Sequence, residues 1–257
     1  MAEYLTVTEI PGNKASREQI ERLFHRYHFA STFCQGKDVL EVACGAGMGL
    51  GYLEQVANRV VGGDIDEEIL RFAKAHYQGR NKIEIRQLDA QELPFGDKSF
   101  DVVLLYEAIY YLAQPEKFID EAFRVLKAKG VLIICSANKE WCDFNPSPFS
   151  QKYFSVPEMF QLLSQKFSDI RLYGAFLARE DSSKAKTISL IKRAAVRLHL
   201  MPKTMKGKQL FKRIFFGGLT PIPAEIEKGL ARYVPPISVS KESTNSQYKV
   251  LYAVAWK

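Results

Sequence analysis

The sequence has few cysteines and histidines and no long apolar run. Its apolar segments fall short of the ~20 residues that a transmembrane helix needs. Residues 1–14 contain acids and no long apolar region, so no secretory signal is expected. The four cysteines lack both paired metal-ligand spacing and the density of a secreted disulfide framework, and the acids and histidines form no convincing ligand cluster. We therefore expect a reduced, cytoplasmic chain without a metal site.

Positive charge is concentrated in one segment. The chain has a formal net charge of +7, but residues 179–213 alone contain eleven Lys or Arg against two acids. Part of this segment repeats apolar residues at helical spacing, namely Ile188, Ile191, Ala195 and Leu198. The pattern is typical of a segment that recognises an anionic acceptor or makes a peripheral contact with an anionic membrane surface through residues 184–216. It is equally typical of a lid that packs its apolar side on the core while its charges face water.

A short apolar strand followed by a glycine turn is the most informative feature that is present. Residues 39–42 are apolar apart from Glu41, and glycines follow at alternate positions, Gly45, Gly47 and Gly49. Glycine lacks a Cβ, so such a turn can take positive φ and lie against a bulky ligand. A dinucleotide fingerprint needs a sixth-position glycine, but that position counted from Gly45 is leucine. The turn therefore predicts a nucleoside site and disfavours NAD or FAD.

Strands and helices alternate along the chain. A second apolar run ends at Asp64 and a third leads to Asp89. An acid after the second strand of a βαβ unit can accept hydrogen bonds from ribose hydroxyls. Further strands are expected at 102–105, 131–134, 170–176 and 248–256, and helices at 15–34, 115–127 and 157–166. The alternation predicts an α/β fold, with a doubly wound sheet covered by helices on both faces.

Four motifs occur in a characteristic order: VLEVACGAG, VVGGDID, LDAQELPFGDKSFDVV and FRVLKAKGVLII. Through them, about residues 36–135 resemble the class I S-adenosylmethionine-dependent methyltransferases, in the methyltransferase type 11-like branch that acts on small molecules, lipids and sugars. The resemblance implies a Rossmann-like seven-stranded sheet with S-adenosylmethionine as cofactor. It also implies methylation of an oxygen or nitrogen atom of a small-molecule acceptor, such as a sugar, a glycolipid or a lipid-linked intermediate.

The same resemblance assigns roles to residues that follow the strands. Glu41 would approach the methionine amino group, Asp64 the ribose hydroxyls and Asp89 the adenine amine, while Ile65 would pack on the adenine face. The other implied cofactor residues are Ala43, Gly45, Gly47, Ala90, Leu105 and Tyr106. The family often has glycine where this chain has Ala43. Taken singly, Glu41 and Asp64 are also typical of acids that cap a following helix.

Glu107, Tyr110 and Tyr111 are the candidate catalytic residues. Helical spacing brings them onto adjoining parts of one face. A hydroxyl acceptor is a poor nucleophile until its proton is removed, so Glu107 is a candidate base or orienting acid. Related enzymes often have histidine where this chain has Tyr111, which argues against a histidine base. The alternative is that the tyrosines belong to the core.

We predict three parts of the chain. Residues 1–35 form a helical cap, 36–177 with 247–257 form the cofactor-binding core, and 178–246 form a basic helical insertion between the last two strands. Residues 136–153 suit an acceptor-binding wall. Two other functions stay open, an RNA methyltransferase that uses the basic insertion and a non-catalytic cofactor-binding protein. Nucleic acid is not the expected partner, because the motifs of DNA amino and cytosine C5 methyltransferases are missing.

Overall fold

A central sheet organises the computed structural model, which describes residues 8–178 and 218–257. The strands in chain order are β1 (Lys14–Ala15), β2 (Asp38–Val42), β3 (Arg59–Asp64), β4 (Ile83–Gln87), β5 (Phe100–Tyr106), β6 (Leu126–Ala137), β7 (Asp169–Leu177), β8 (Thr220–Pro221), β9 (Ile237–Ser238) and β10 (Tyr248–Trp256). The sheet has the order β4-β3-β2-β5-β6-β10-β7-β9, while β1 and β8 form a separate pair. The seven longer strands of the sheet match the predicted number, and the two-residue β9 adds an eighth at one edge.

Strand direction makes the sheet mostly parallel. β2 pairs in parallel with β3 and β5, β3 with β4, and β5 with β6. β10 lies antiparallel between β6 and β7. Parallel strands bring their carboxyl ends to one edge, where ligands bind in open α/β sheets. The predicted α/β fold class is confirmed.

The described residues form six helices, and three of these begin at side-chain caps. The six are α1 (Arg17–Ser31), α2 (Leu50–Glu54), α3 (Glu67–His76), a 3₁₀ helix (Ile109–Tyr111), α4 (Pro115–Val125) and α5 (Val156–Leu163). Ser16 and Ser155 each form a capping box with the side chain of the third helical residue, and Asp66 caps α3. α1, α4 and α5 are shorter than predicted by a few residues, because the chain leaves the helix soon after the last buried apolar position.

Helices cover both faces of the sheet. On one face, α1 and α2 bury Leu23, Phe24 and Leu53. On the other, α4 and α5 bury Phe118 and Leu163. Burial of such side chains stabilises the fold by roughly 1.5–3 kcal/mol each. The two layers hold the strand ends, and hence the loops that follow them, in a fixed arrangement.

The predicted basic insertion falls largely on residues 179–217, which lie outside the described residues. The chain is described again from Gly218, and β8 then pairs with β1 near the amino terminus. Within the described ranges, no helix combines the length and apolar character needed to cross a membrane.

Candidate functional site

A cavity of about 570 Å³ lies at the carboxyl ends of the parallel strands. β2 contributes Glu41, β3 contributes Asp64, and β5 contributes Tyr106 to its lining. The loop after β4 adds Asp89, and α1 forms a further wall. Most of the residues predicted from the sequence meet here: Glu41, Ala43, Gly45, Asp64, Ile65, Asp89, Ala90, Tyr106, Glu107, Tyr110 and Tyr111.

Glu41 is a buried carboxylate with hydrogen-bonding capacity to spare. Its side chain is almost fully buried, and Oε1 accepts a 2.6 Å hydrogen bond from the hydroxyl of Tyr27. Oε2 has no hydrogen-bond partner among the described residues. Burial raises the pKa of Glu41 to about 7, although Tyr27 and Arg26 act to lower it. Because a buried, unpaired carboxylate oxygen is costly, this position suits a cationic group of a ligand.

The turn after β2 has left-handed backbone at three positions, Ala43, Gly45 and Gly47. Gly45 has φ +57°, and Ala43 has φ +55° although it carries a Cβ. A non-glycine residue in this region costs roughly 1–2 kcal/mol, which explains why glycine suits the position of Ala43. The amide of Gly45 donates a 2.9 Å hydrogen bond to Oδ2 of Asp64, so β2 and β3 are locked together at the cavity.

A second end of the cavity is formed by Asp64, Ile65 and Asp89. Oδ1 of Asp64 accepts a 3.0 Å hydrogen bond from the amide of Asp66. Burial raises the pKa of Asp64, against the opposing effect of these backbone N–H groups. Ile65 follows with its apolar side chain 55% exposed. Oδ1 of Asp89 accepts from the amide of Gln91 at 2.8 Å. An acid, an exposed apolar surface and a second acid fit the ribose and adenine of a nucleoside.

Two predicted cofactor residues are not part of the cavity lining. Gly47 has φ +74°, and a Cβ there would lie 2.7 Å from the Cβ of Ala73. Its carbonyl accepts a 2.8 Å hydrogen bond from Tyr77. Gly47 therefore lets the turn pack against α3. The side chain of Leu105 is fully buried in the core.

Glu107 lies at the opposite end, immediately after β5. Its φ of +51° places it in the left-handed region, a conformation that clusters at functional sites when a non-glycine residue adopts it. Its amide donates to the carbonyl of Cys135 at 2.8 Å. Oε2 accepts from the Tyr110 hydroxyl and from the Ala137 amide, both at 3.1 Å. Burial raises the pKa of Glu107, while the charges of Arg26 and Arg22 act to lower it.

Tyr110 and Tyr111 are positioned by the loop that follows β6. The ring of Tyr110 stacks on Tyr153 at 4.2 Å between centroids, and its carbonyl accepts from the amide of Gln151 at 2.7 Å. The hydroxyl of Tyr111 lies 2.6 Å from Oγ of Ser147. The two tyrosines thus line the cavity and connect Glu107 to residues 147–153.

The predicted acceptor wall at 136–153 contributes less to the cavity than expected. Ala137 and Gln151 line it. Asn138 is fully buried and donates to the carbonyls of Asn245 and Tyr248, at 2.6 and 2.8 Å. Its amide is therefore structural, because it holds this loop against β10.

Sequence reasoning missed most of the α1 wall. Gln19, Arg22, Leu23, Arg26 and Tyr27 of this helix line the cavity. Of these, the sequence indicates only Arg26 and Tyr27, as residues that could contact cofactor or acceptor or could simply belong to a packed or solvated helix. The spacing of the whole set, by three and four, is that of one helical face. Since that stripe mixes two arginines with apolar residues, the usual search for an apolar face does not reveal it.

Comparison with known proteins agrees with this geometry. A family model described as "Methyltransferase domain" matches residues 40–134. The chain is 33% identical over 173 residues to a protein of Mycolicibacterium smegmatis named "Probable S-adenosylmethionine-dependent methyltransferase", with 63% of each chain covered. It is 34% identical over 100 residues to a demethylmenaquinone methyltransferase of Clavibacter sepedonicus, covering 39% of this chain and 41% of that one.

Solved structures show the same fold. The crystal structure of a SAM dependent methyltransferase from Archaeoglobus fulgidus superposes with a TM-score of 0.55 at 19% identity and covers 95% of both chains. The chain spans less than two thirds of the length of the two relatives above. Their similarity is therefore concentrated in the domain that contains the cavity.

Proposed function

We propose that the chain carries a class I S-adenosylmethionine-dependent methyltransferase domain, and that the protein transfers the methyl group of S-adenosylmethionine to an oxygen or nitrogen atom of a small-molecule acceptor. The observation that carries the proposal is the single cavity that joins Glu41, Asp64 and Asp89 to Glu107 and Tyr110. A sugar, a glycolipid or a lipid-linked intermediate is the acceptor class we favour. A relative named as a quinone-pathway methyltransferase supports an acceptor of low molecular weight.

The residues present fit the cofactor. The unpaired Oε2 of Glu41 matches an ammonium group, and the exposed face of Ile65 matches an adenine ring. Asp64 would accept from the ribose hydroxyls and Asp89 from the adenine amine. When bound, S-adenosylmethionine would supply a methyl group attached to a sulfonium sulfur. The leaving group would be the neutral thioether S-adenosylhomocysteine, which is already a good one.

The chain's own contribution to the reaction is to position the acceptor and to accept a proton. Alignment of two reactants can supply a large part of a rate enhancement. Glu107 is the candidate base, because its carboxylate lines the cavity and burial raises its pKa. The Tyr110 hydroxyl and the Ala137 amide both donate to Oε2 of Glu107 and hold that carboxylate in one orientation.

The first test is binding of S-adenosylmethionine and S-adenosylhomocysteine by calorimetry. We expect micromolar affinity in the wild type and a loss of about tenfold or more in Asp64→Asn, because Asp64 would lose its charge toward the ribose hydroxyls. Asp120→Asn is the matched control, since Asp120 pairs with Lys166 on an exposed part of α4 and does not line the cavity. A folded wild type that binds neither compound would refute the proposal.

The second test is transfer of a labelled methyl group to pools of sugars, glycolipids and quinones. A labelled product that needs the intact Asp64 would identify the acceptor class. RNA is included as a competing substrate. The basic residues that raised that alternative lie mainly at 179–213, outside the described residues.

A further inference from the structure

Arg26 lies inside the cavity wall as a buried cation. Its side chain is 9% exposed, and Nη2 pairs with Oε2 of Glu9 at 2.5 Å. Nε of Arg26 has no hydrogen-bond partner among the described residues. Burial lowers the pKa of Arg26, but the charge of Glu9 and other nearby groups raise it, and the net pKa is well above its ordinary value. Arg26 is therefore a permanent positive charge at the ligand site.

Arg22 extends this cationic wall by one turn of α1. It also lines the cavity, its Nε also lacks a partner within the described residues, and its Nη2 pairs with Glu18 at 2.5 Å. A residue four positions away lies on the same helical face. Two guanidinium groups on one face provide the fork-shaped donors that bind a carboxylate in bidentate fashion.

The two arginines line the same cavity as Glu107 and Glu41. The charges of both act on Glu107, the candidate base, while Arg26 also acts on Glu41 at the cofactor end. An acid bound by Arg22 and Arg26 would therefore stand near Glu107. Within the described residues, Nε of each arginine is a donor without a protein partner.

Glu9 is the group that meets Arg26 in the ligand-free chain. It comes from the segment that precedes β1, lines the cavity and has its side chain 34% exposed. A partly exposed carboxylate can be exchanged for another at modest cost, because water can solvate it after it leaves. Glu9 therefore marks where a second carboxylate would fit.

We propose that Arg22 and Arg26 bind a carboxylate group of the acceptor, and that Glu9 holds this place until the acceptor displaces it. This inference rests on the proposed function and narrows its acceptor to acidic small molecules. The shared chemistry is a carboxylate, and the cofactor's own methionine carboxylate is the second possible source. The experiment separates the two.

The test uses benzoate as the acidic probe and benzamide as its neutral counterpart, because Tyr106, Tyr110 and Tyr111 give the cavity aromatic walls. Both are titrated by calorimetry into the full chain, alone and saturated with S-adenosylhomocysteine. We expect benzoate to bind and benzamide to bind about tenfold more weakly or not at all. Arg26→Gln and Arg22→Gln should each weaken benzoate binding by about tenfold.

The Glu9→Gln variant should raise the affinity for benzoate, whereas the two arginine variants should lower it. It removes the competing carboxylate but keeps a similar volume, so benzoate should bind several-fold more tightly. A purely structural ion pair would not produce this gain, and Glu9→Gln keeps the test informative if Arg26→Gln fails to fold. Arg17→Gln is the matched control, because Arg17 lies on the same helix with its side chain 88% exposed and pairs with Glu21. We expect no change in that variant.

A parallel titration compares S-adenosylhomocysteine with 5′-methylthioadenosine, which lacks the amino-acid carboxylate. If Arg26→Gln weakens only S-adenosylhomocysteine and leaves benzoate binding unchanged, the arginines serve the cofactor and the acceptor proposal is overturned. Equal binding of benzoate and benzamide would also overturn it. If the wild type binds no S-adenosylhomocysteine, the proposed methyltransferase function fails. Benzoate binding by itself does not test that function.

Discussion

At the scale of single residues, the raised pKa of Glu41 would make the proposed cofactor binding depend on pH. Its pKa is raised to about 7, first by burial, against the lowering effect of Tyr27 and Arg26. Only the ionised carboxylate can pair with a ligand ammonium. Binding therefore releases a proton from the ligand-free chain and is favoured as the pH rises.

We predict that the affinity for S-adenosylhomocysteine falls about fivefold between pH 7 and pH 6, because the ionised fraction of a group with that pKa falls by this amount. Calorimetry across this range measures the effect. Asp64 and Glu107 also have raised pKa values and line the same cavity, so a control is needed. Glu41→Gln should bind more weakly and lose most of the pH dependence. An unchanged slope in that variant would assign the proton to another group.

Glu107 is the residue whose loss should separate turnover from binding. Glu107→Gln keeps the shape of the side chain but removes its charge and basicity. If it is the base, we predict a fall in turnover of about a hundredfold or more, the usual size of a general-base effect. Dissociation constants for S-adenosylhomocysteine should stay within about twofold of wild type, since Glu41 and Asp64 remain.

Tyr110→Phe serves as the companion to that variant. It removes the hydroxyl that donates to Glu107 at 3.1 Å but leaves the carboxylate and its bond from Ala137. A smaller fall in turnover is expected, because one orienting hydrogen bond is lost. Wild-type turnover in Glu107→Gln would remove Glu107 from the mechanism.

At the scale of elements, the packing of α1 against the glycine turn sets the cofactor end of the cavity. Gly49 has ordinary helical backbone angles, but a Cβ there would lie 1.9 Å from Cε1 of Tyr27. The same tyrosine donates to Glu41. The absence of a side chain at Gly49 therefore allows Tyr27 to reach the buried carboxylate.

We predict that Gly49→Ala lowers the free energy of unfolding by about 2 kcal/mol, a typical cost of overpacking. The affinity for S-adenosylhomocysteine should fall as well, because Tyr27 must move away from Glu41. Denaturant unfolding and calorimetry measure the two effects. Gly96→Ala is the control, since Gly96 is exposed and its nearest neighbour to an added Cβ is Oγ of Ser99 at 3.8 Å. Equal stability of the two variants would contradict the role of Gly49.

Strand positions and strand ends were predictable from the sequence because buried parallel strands are short apolar runs bounded by turns. Glu41 lies within such a run, Asp64 ends the next strand and Asp89 follows the third, and the structure places all three around one cavity. Contacts between distant segments were not predictable in this way. The pair of Glu9 and Arg26 depends on how the amino-terminal segment folds over α1, and no local pattern encodes it.

Two other failures have similar causes. Asn138 lies in the predicted acceptor wall, but its side-chain amide donates to the carbonyls of Asn245 and of Tyr248, the first residue of β10. The gap predicted between the helix at 115–127 and the strand at 131–134 lies inside β6, which begins at Leu126. In both cases a neighbouring strand, distant in sequence, supplies the environment that overrides the local preference.

At the scale of the whole molecule, the chain on either side of residues 179–217 is fastened to the core. Before it, β7 lies in the sheet beside β10. After it, β8 pairs with β1, and the amide of Ile226 donates to the carbonyl of Met48 at 2.9 Å. Because β1 follows Glu9 closely, the segment after 217 and the segment that carries Glu9 are held together.

Glu225 is the main polar anchor of this arrangement. Its carboxylate accepts from Arg80 at 3.0 and 2.6 Å and lies 2.8 Å from Nε2 of His76. The hydrogen bonding of Arg80 to the carboxylate of Glu225 is the largest cause that raises the pKa of Arg80. The side chain of Glu225 is 17% exposed, whereas that of Arg80 is 37% exposed, so solvent weakens the pair.

We predict that Glu225→Gln destabilises the segment after residue 217 by about 1 kcal/mol, because solvent limits the stabilisation by a partly exposed ion pair to this order. Hydrogen exchange should then quicken at the amides of Ile222 and Ile226, which donate to Asn13 and Met48 in the intact chain. Glu54→Gln is the matched control, because Glu54 is the other carboxylate on Arg80 and lies in α2. If both variants speed exchange at Ile222 and Ile226 equally, Arg80 stabilises the region as a whole and Glu225 is not its specific anchor. Faster exchange in Glu225→Gln alone would mean that this carboxylate specifically anchors the segment after residue 217. That segment pairs with β1, close to Glu9 in the cavity wall.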